Sequence, residues 1–180
     1  ATAVAASMAA SMAAGMAACA MLLLSVSYSW WPRLKELPPL DVVANALGIG
    51  ASYVLGSVSS GGAPGVANAL CLSLLGAAAY AKTLVADLSA DLAAGTLTSA
   101  VAYGREAVLR FSGVSKLFAA SLAAFISLRG EWWYLPILSI APGAIRDISS
   151  RRAEAREART MAKGLAIFAA CLATWAVLHA

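Results

Sequence analysis

The sequence predicts an all-α, polytopic bundle of transmembrane helices, and three observations carry that prediction. Of the 180 residues 61% are hydrophobic and only 12% charged, and the mean hydropathy is +0.78; soluble domains carry about 25% charged residues. Apolar stretches near the length of about 20 residues that crosses a bilayer recur along the chain. Basic residues gather in alternate connections between those stretches, as the positive-inside rule requires of a chain threaded back and forth through a membrane.

The apolar stretches give about six spans, at 3–26, 42–60, 64–85, 108–128, 132–147 and 161–179. The first has a four-residue period. Ser7, Ser11, Gly15 and Cys19 stack in a strip of small residues, with Met8, Met12 and Met16 alongside. Such strips let helices approach closely in lipid, so a packing face is expected; a methionine stripe lining a lipid-chain cavity is the alternative. The chain opens Ala1-Thr2-Ala3-Val4, without an initiator Met or a basic n-region. That is no signal peptide, and residues upstream of Ala1 are expected. The fifth span contains Pro136 and Pro142, which predicts a kinked or tilted helix.

Alternation places the connections 27–41, 86–107 and 146–160 on one side. That side holds Arg33, Lys35, Lys82, Arg105, Arg110, Arg146, Arg151, Arg152, Arg156 and Arg159, whereas Arg129 stands on the other. The rule makes these three connections cytoplasmic and turns both ends of the chain outward. Trp30-Trp31 and Trp132-Trp133-Tyr134 then fall at opposite membrane faces. The net charge of +4 is accounted for by this anchoring, and nothing calls for nucleic acid. Residues 149–159 alternate charge at helical spacing and suit a solvated helix on an anionic leaflet.

The candidate chemistry lies in Asp87-Leu-Ser-Ala-Asp91-Leu-Ala-Ala-Gly95. On a helix, residues four apart share a face, so the two carboxylates repel unless a cation sits between them. Hard oxygen ligands of this kind suit Mg²⁺, which takes one or two carboxylates and completes its shell with water and phosphate. Read alone, the pair is as readily two solvated acids at a helix end. Cys19, Cys71 and Cys171 stand singly in apolar stretches and point to neither disulfides nor zinc; buried, inert thiols are expected. His179 is solitary and near the C-terminus. No glycine-rich phosphate loop, His-Glu-x-x-His or Gly-x-Ser-x-Gly occurs.

The run Tyr80-Ala-Lys82-Thr-Leu-Val-Ala-Asp87-Leu-Ser-Ala-Asp91-Leu-Ala-Ala-Gly95-Thr-Leu-Thr98, leading to Gly104-Arg105, resembles the second aspartate-rich motif of the UbiA-type intramembrane prenyltransferases. Tyr28-Ser-Trp-Trp-Pro-Arg33-Leu-Lys35 and the span through Asp41, Asn45 and Gly48 are similar to the family's tyrosine-and-basic loop and the helix after it. The resemblance extends over nearly the whole chain.

What it implies is a single domain over 1–180 that forms part of a bundle of nine helices and lacks its first spans. Family members hold Mg²⁺, and through it a prenyl diphosphate, on two aspartate-rich motifs at cytosolic helix ends; here Asp87 and Asp91 would be the metal-binding and catalytic pair. Lys82, Arg33 and Lys35 would contact the phosphates, although each is as readily a membrane anchor. Tyr28, Tyr80 and Asn45 would line the substrate site, Tyr28 and Asn45 by holding the acceptor or shielding an allylic cation; interface and interhelical roles are the ordinary alternatives for these two. The implied activity is Mg²⁺-dependent transfer of a polyprenyl group to a lipophilic acceptor. An aromatic quinone precursor and an isoprenoid or glycerophosphate lipid fit equally. The implied location is the plasma membrane, with the site on the cytoplasmic side. The first motif is not in this sequence, and Leu92 and Leu97 stand where family members often carry basic residues. A non-catalytic assembly partner with the same fold is therefore the alternative, and a transporter a third.

Overall fold

The computed structural model describes residues 12–149. Helix α1 covers Met12–Ser29, α2 Leu40–Ser59, α3 Val66–Ala94, α4 Ser99–Tyr103, α5 Arg105–Leu128 and α6 Ala141–Ser149. A 3₁₀ turn at Leu34–Glu36 lies between α1 and α2, and a 3₁₀ segment at Trp132–Ile140 precedes α6. Among the described residues, three helices, α2, α3 and α5, are long and apolar enough to cross a membrane. With the composition, they make the chain an integral membrane protein. The expected spans at 42–60, 64–85 and 108–128 correspond to these three.

Helix α3 is the centre of the bundle, flanked by α2 on one side and α5 on the other. Its packing faces are built from small residues: Ala77, Ala78 and Ala81 are buried on α3, and Ala119, Ala120 and Ala123 on α5. Lipid gives apolar side chains no reason to leave it for a helix surface, so close backbone approach supplies the association. Accordingly the large apolar side chains Leu23, Leu47, Leu70, Phe118 and Leu128 point outward. In water they would form a patch; in a bilayer they face the solvent they prefer. One core cluster at one end joins Val42, Ala77, Ala81, Leu84, Ala100 and Val108. A second, at the other end, joins Cys71, Ala119, Ala123, Ile126, Tyr134 and Ile137.

The antiparallel order is fixed at both ends. Near the start of α3, the Asn68 side-chain amide donates to Glu131 at 2.8 Å, in the turn after α5. There the Arg129 guanidinium lies 4.5 Å from the centre of the Phe125 ring. The opposite end holds the 33–36 turn, the last turns of α3 and the whole of α4.

Three expectations need adjustment. The stretch expected as a single kinked span at 132–147 is a 3₁₀ segment followed by α6. Pro136 has no N–H to give to an α-helical ladder, and the segment holding it adopts the tighter 3₁₀ form. Helix α6 then crosses α5 so closely that a Cβ at Gly113 would lie 2.7 Å from the Ala144 carbonyl oxygen. The connection expected over 86–107 is mostly helix, because α3 runs on to Ala94 and carries both aspartates on its last turns. In α1, Ala14, Gly15 and Ala18 form the packed face and Cys19 is only half-buried, while Met12 and Met16 point outward. Ser7, Ser11, Met8, the 161–179 span, Cys171, His179 and most of the 149–159 stretch lie outside the described residues.

Candidate functional site

Between the end of α3 and the connection after α1 lies a cavity of about 250 Å³, lined by Tyr28, Arg33, Lys35, Glu36, Tyr80, Thr83, Leu84, Asp87, Asp91, Thr96 and Thr98. Its α3 wall follows from helical period. At 100° per residue, positions 80, 84, 87 and 91 recur within one narrow strip. The sequence pattern thus sets Tyr80, Asp87 and Asp91 in register on one face.

The end of α3 is built to fix Asp91. Gly95 adopts the left-handed conformation at φ 68°, which only glycine enters without a Cβ penalty. The Thr96 N–H then donates to the Asp91 carbonyl at 2.9 Å and the Gly95 N–H to that of Leu92 at 3.3 Å, closing a Schellman motif. The chain turns back, and the Thr98 hydroxyl donates to the Asp91 carboxylate at 3.1 Å. Asp87 is exposed and Asp91 half-buried. Asp91, in the last turn, faces the negative end of the helix dipole at a cost of about 0.3–1 kcal/mol, and its repulsion with Asp87 one turn earlier adds about 0.2–0.5 kcal/mol. A cation bound between them would offset both.

Opposite stands the 33–36 turn. Arg33 has φ 63°, a left-handed conformation that costs a non-glycine residue about 1–2 kcal/mol. Its guanidinium pairs with Glu36 across an exposed surface, where an ion pair is worth at most about 1 kcal/mol. A better anionic partner can therefore take it. The Tyr28 and Tyr80 hydroxyls share a hydrogen bond of 2.7 Å, with their rings edge to face at 6.5 Å.

The structure thus gathers Tyr28, Arg33, Lys35, Tyr80, Asp87 and Asp91 around one space and leaves two expected residues out. Asn45 is half-buried on α2 and does not line the cavity. Lys82 is the plainer correction. Two residues from Tyr80, it projects from the far side of α3, roughly 180° from the aspartate strip. There it is 9% exposed, and its ammonium donates to Asp147 of α6 at 3.1 Å. Lys116 of α5 holds the other oxygen of the same carboxylate. The Asp147 carboxylate therefore ties three helices together inside the bundle, with Lys82 as one of its two partners. Sequence reasoning had not singled out Asp147, whose partner is 65 positions away, nor given roles to Glu36, Thr83, Thr96 and Thr98. For Thr98 a signal existed, since it stands in the quoted motif.

The donor set fits one hard divalent cation. Asp87 and Asp91 offer carboxylate oxygens alone, and no group of three or more His, Cys, Asp or Glu residues among the described residues could hold a metal by itself. Two carboxylates are within the one or two that Mg²⁺ takes from a protein when water and phosphate complete its shell. The charge count agrees. Three carboxylates and two basic side chains line the cavity, a net charge of −1, so a polyanion needs an added cation to enter.

No protein-family model matches the sequence, and no curated protein matches it. Among solved structures, a UbiA homolog from Archaeoglobus fulgidus bound to Cd²⁺ matches with a TM-score of 0.68 at 24% identity. The match covers 96% of this chain and 58% of that one, so this chain spans little more than half of that protein's length. All-helical, membrane-spanning and superposable over nearly its whole length, the chain has the UbiA-type fold.

Proposed function

We propose that the chain is part of a UbiA-type prenyltransferase, transferring a prenyl group from its diphosphate to a lipophilic acceptor at the cavity between α3 and the 33–36 turn. The observation that carries this is the cavity's composition: two carboxylates in one strip of α3, facing two basic side chains on a neighbouring connection, with apolar helices beside them. The metal in the A. fulgidus UbiA homolog supports the reading.

Asp87 and Asp91 would hold Mg²⁺, with Thr98 keeping the Asp91 carboxylate in place. A bound Mg²⁺ supplies neutralisation of the charge that develops on the leaving diphosphate. Arg33, released from Glu36, and Lys35 donate to phosphate oxygens and share that charge. The carbon–oxygen bond to the diphosphate breaks with its electron pair going to the leaving oxygen, the acceptor's nucleophilic atom forms the new bond to the allylic carbon, and the proton that atom carried passes to the released diphosphate. Tyr28 and Tyr80 wall the cavity with aromatic surface, which attracts a developing allylic cation. The apolar helix surfaces accommodate the prenyl tail.

The test is product formation. The protein in native-lipid nanodiscs, given radiolabelled geranylgeranyl diphosphate and a membrane lipid extract, should release pyrophosphate and label a lipid, and EDTA should stop both. Absence of release and of labelled lipid, with Mg²⁺ present and the protein folded, would favour the non-catalytic assembly partner.

A further inference from the structure

Asp41 is wholly buried, at 0% exposure, although it opens α2 and lies outside the cavity. A carboxylate in such a place must find hydrogen-bond partners. It accepts the Val42 N–H at 2.8 Å, the Ser99 N–H at 2.7 Å and the Ser99 hydroxyl. The Ser99 bonds cross 58 positions of sequence. Ser99 is the first residue of α4, and Thr98 before it has an extended backbone and offers that helix no side-chain cap. Asp41 does the capping from another helix. Thr98 is freed to turn its hydroxyl the other way, onto the Asp91 carboxylate at 3.1 Å. Thr98 and Ser99 are 5% and 3% exposed, so the connection between the two carboxylates runs through packed, ordered residues.

Resting on the proposed metal-binding role of Asp91, we propose that Asp41 is a positioning residue for that site: by fixing the start of α4, it sets the Thr98 hydroxyl that orients the Asp91 carboxylate. Partners of this kind are worth about 10–100-fold in metal affinity when they touch the ligand directly. Thr98→Val should therefore weaken binding by about tenfold. Asp41→Asn keeps the shape but loses one acceptor oxygen, and acts one step further away. About threefold or more is expected of it.

The probe is Mn²⁺ with inorganic pyrophosphate, followed by electron paramagnetic resonance on the whole chain in detergent, beside thermal unfolding of each variant. Thr98→Val and Asp41→Asn should weaken Mn²⁺ binding, and the double variant should be no weaker than Thr98→Val alone, because both act on one hydroxyl. Should Asp41→Asn fail to fold, Ser99→Ala removes one of the same bonds more gently and should lower Mn²⁺ affinity in the same non-additive way. Unchanged Mn²⁺ affinity in a folded Asp41→Asn or Ser99→Ala protein, or losses that multiply with Thr98→Val, would overturn the inference while leaving the metal site standing. Absence of Mn²⁺ binding by the wild-type protein would overturn the metal site, and the inference with it.

Discussion

Asp147 carries an unusual load, because its carboxylate is 2% exposed and serves two ammonium groups at once, Lys82 at 8% and Lys116 at 15%. One carboxylate thus serves two lysine side chains inside the bundle. Removing the acid and removing a base should then have unequal effects. Asp147→Asn leaves two facing ammonium groups with no counter-charge, and stripping a buried pair of one partner costs about 3–5 kcal/mol. Lys82→Met loses one charge-assisted bond, worth about 1.5–3 kcal/mol, but relieves the repulsion between the lysines and the desolvation of one of them. Its net cost should stay within about 1.5 kcal/mol. Equilibrium unfolding of each variant in mixed detergent micelles measures the difference. Equal costs for Asp147→Asn and Lys82→Met, or a cost below about 1 kcal/mol for Asp147→Asn, would refute the buried three-group arrangement.

The same geometry predicts that Lys82→Gln changes prenyl diphosphate affinity less than about twofold, since each 1.4 kcal/mol is tenfold and no phosphate contact is lost; titration calorimetry checks it. Gly95→Ala should cost about 1–2 kcal/mol from its left-handed backbone alone, as a Cβ there meets nothing within 4 Å, and thermal unfolding reads this directly. Gly113→Val should separate α5 from α6, where even a Cβ would come within 2.7 Å of a carbonyl oxygen, at about 1–3 kcal/mol. Cysteines introduced singly at positions 33 and 87, on a cysteine-free background, should react with an impermeant thiol reagent from the cytoplasmic side, and one at position 129 only from outside.

The hydropathy of the sequence located α2, α3 and α5 because each reaches the length of about 20 apolar residues that crosses a bilayer. It misplaced the end of α3, since charged residues end an apolar window without ending a helix. Asp87 and Asp91 were recognisable as a pair because their spacing matches the helical period. That period, applied to Lys82, also places it on the far face, and proximity in sequence to Asp87 was the weaker guide. What no local pattern could supply is the identity of long-range partners. Asp147 meets Lys82 across 65 positions and Asp41 meets Ser99 across 58, and only packing decides which buried acid serves which donor. The 3₁₀ course of Trp132–Ile140 was signalled by Pro136, but a kink, a tilt and a tighter helix all satisfy a missing N–H.

Binding of a diphosphate to Asp87 and Asp91 through a divalent cation is tested most directly by geranylgeranyl diphosphate titrations with Mg²⁺ and with EDTA. Wild-type protein and the Asp87→Asn/Asp91→Asn double variant are compared, each checked for intact folding. EDTA should weaken wild-type binding at least about tenfold, or 1.4 kcal/mol, and the double variant should bind weakly in both conditions. Equal wild-type affinity with and without EDTA, or a Mg²⁺ enhancement that survives loss of both carboxylates, would contradict this mode of binding.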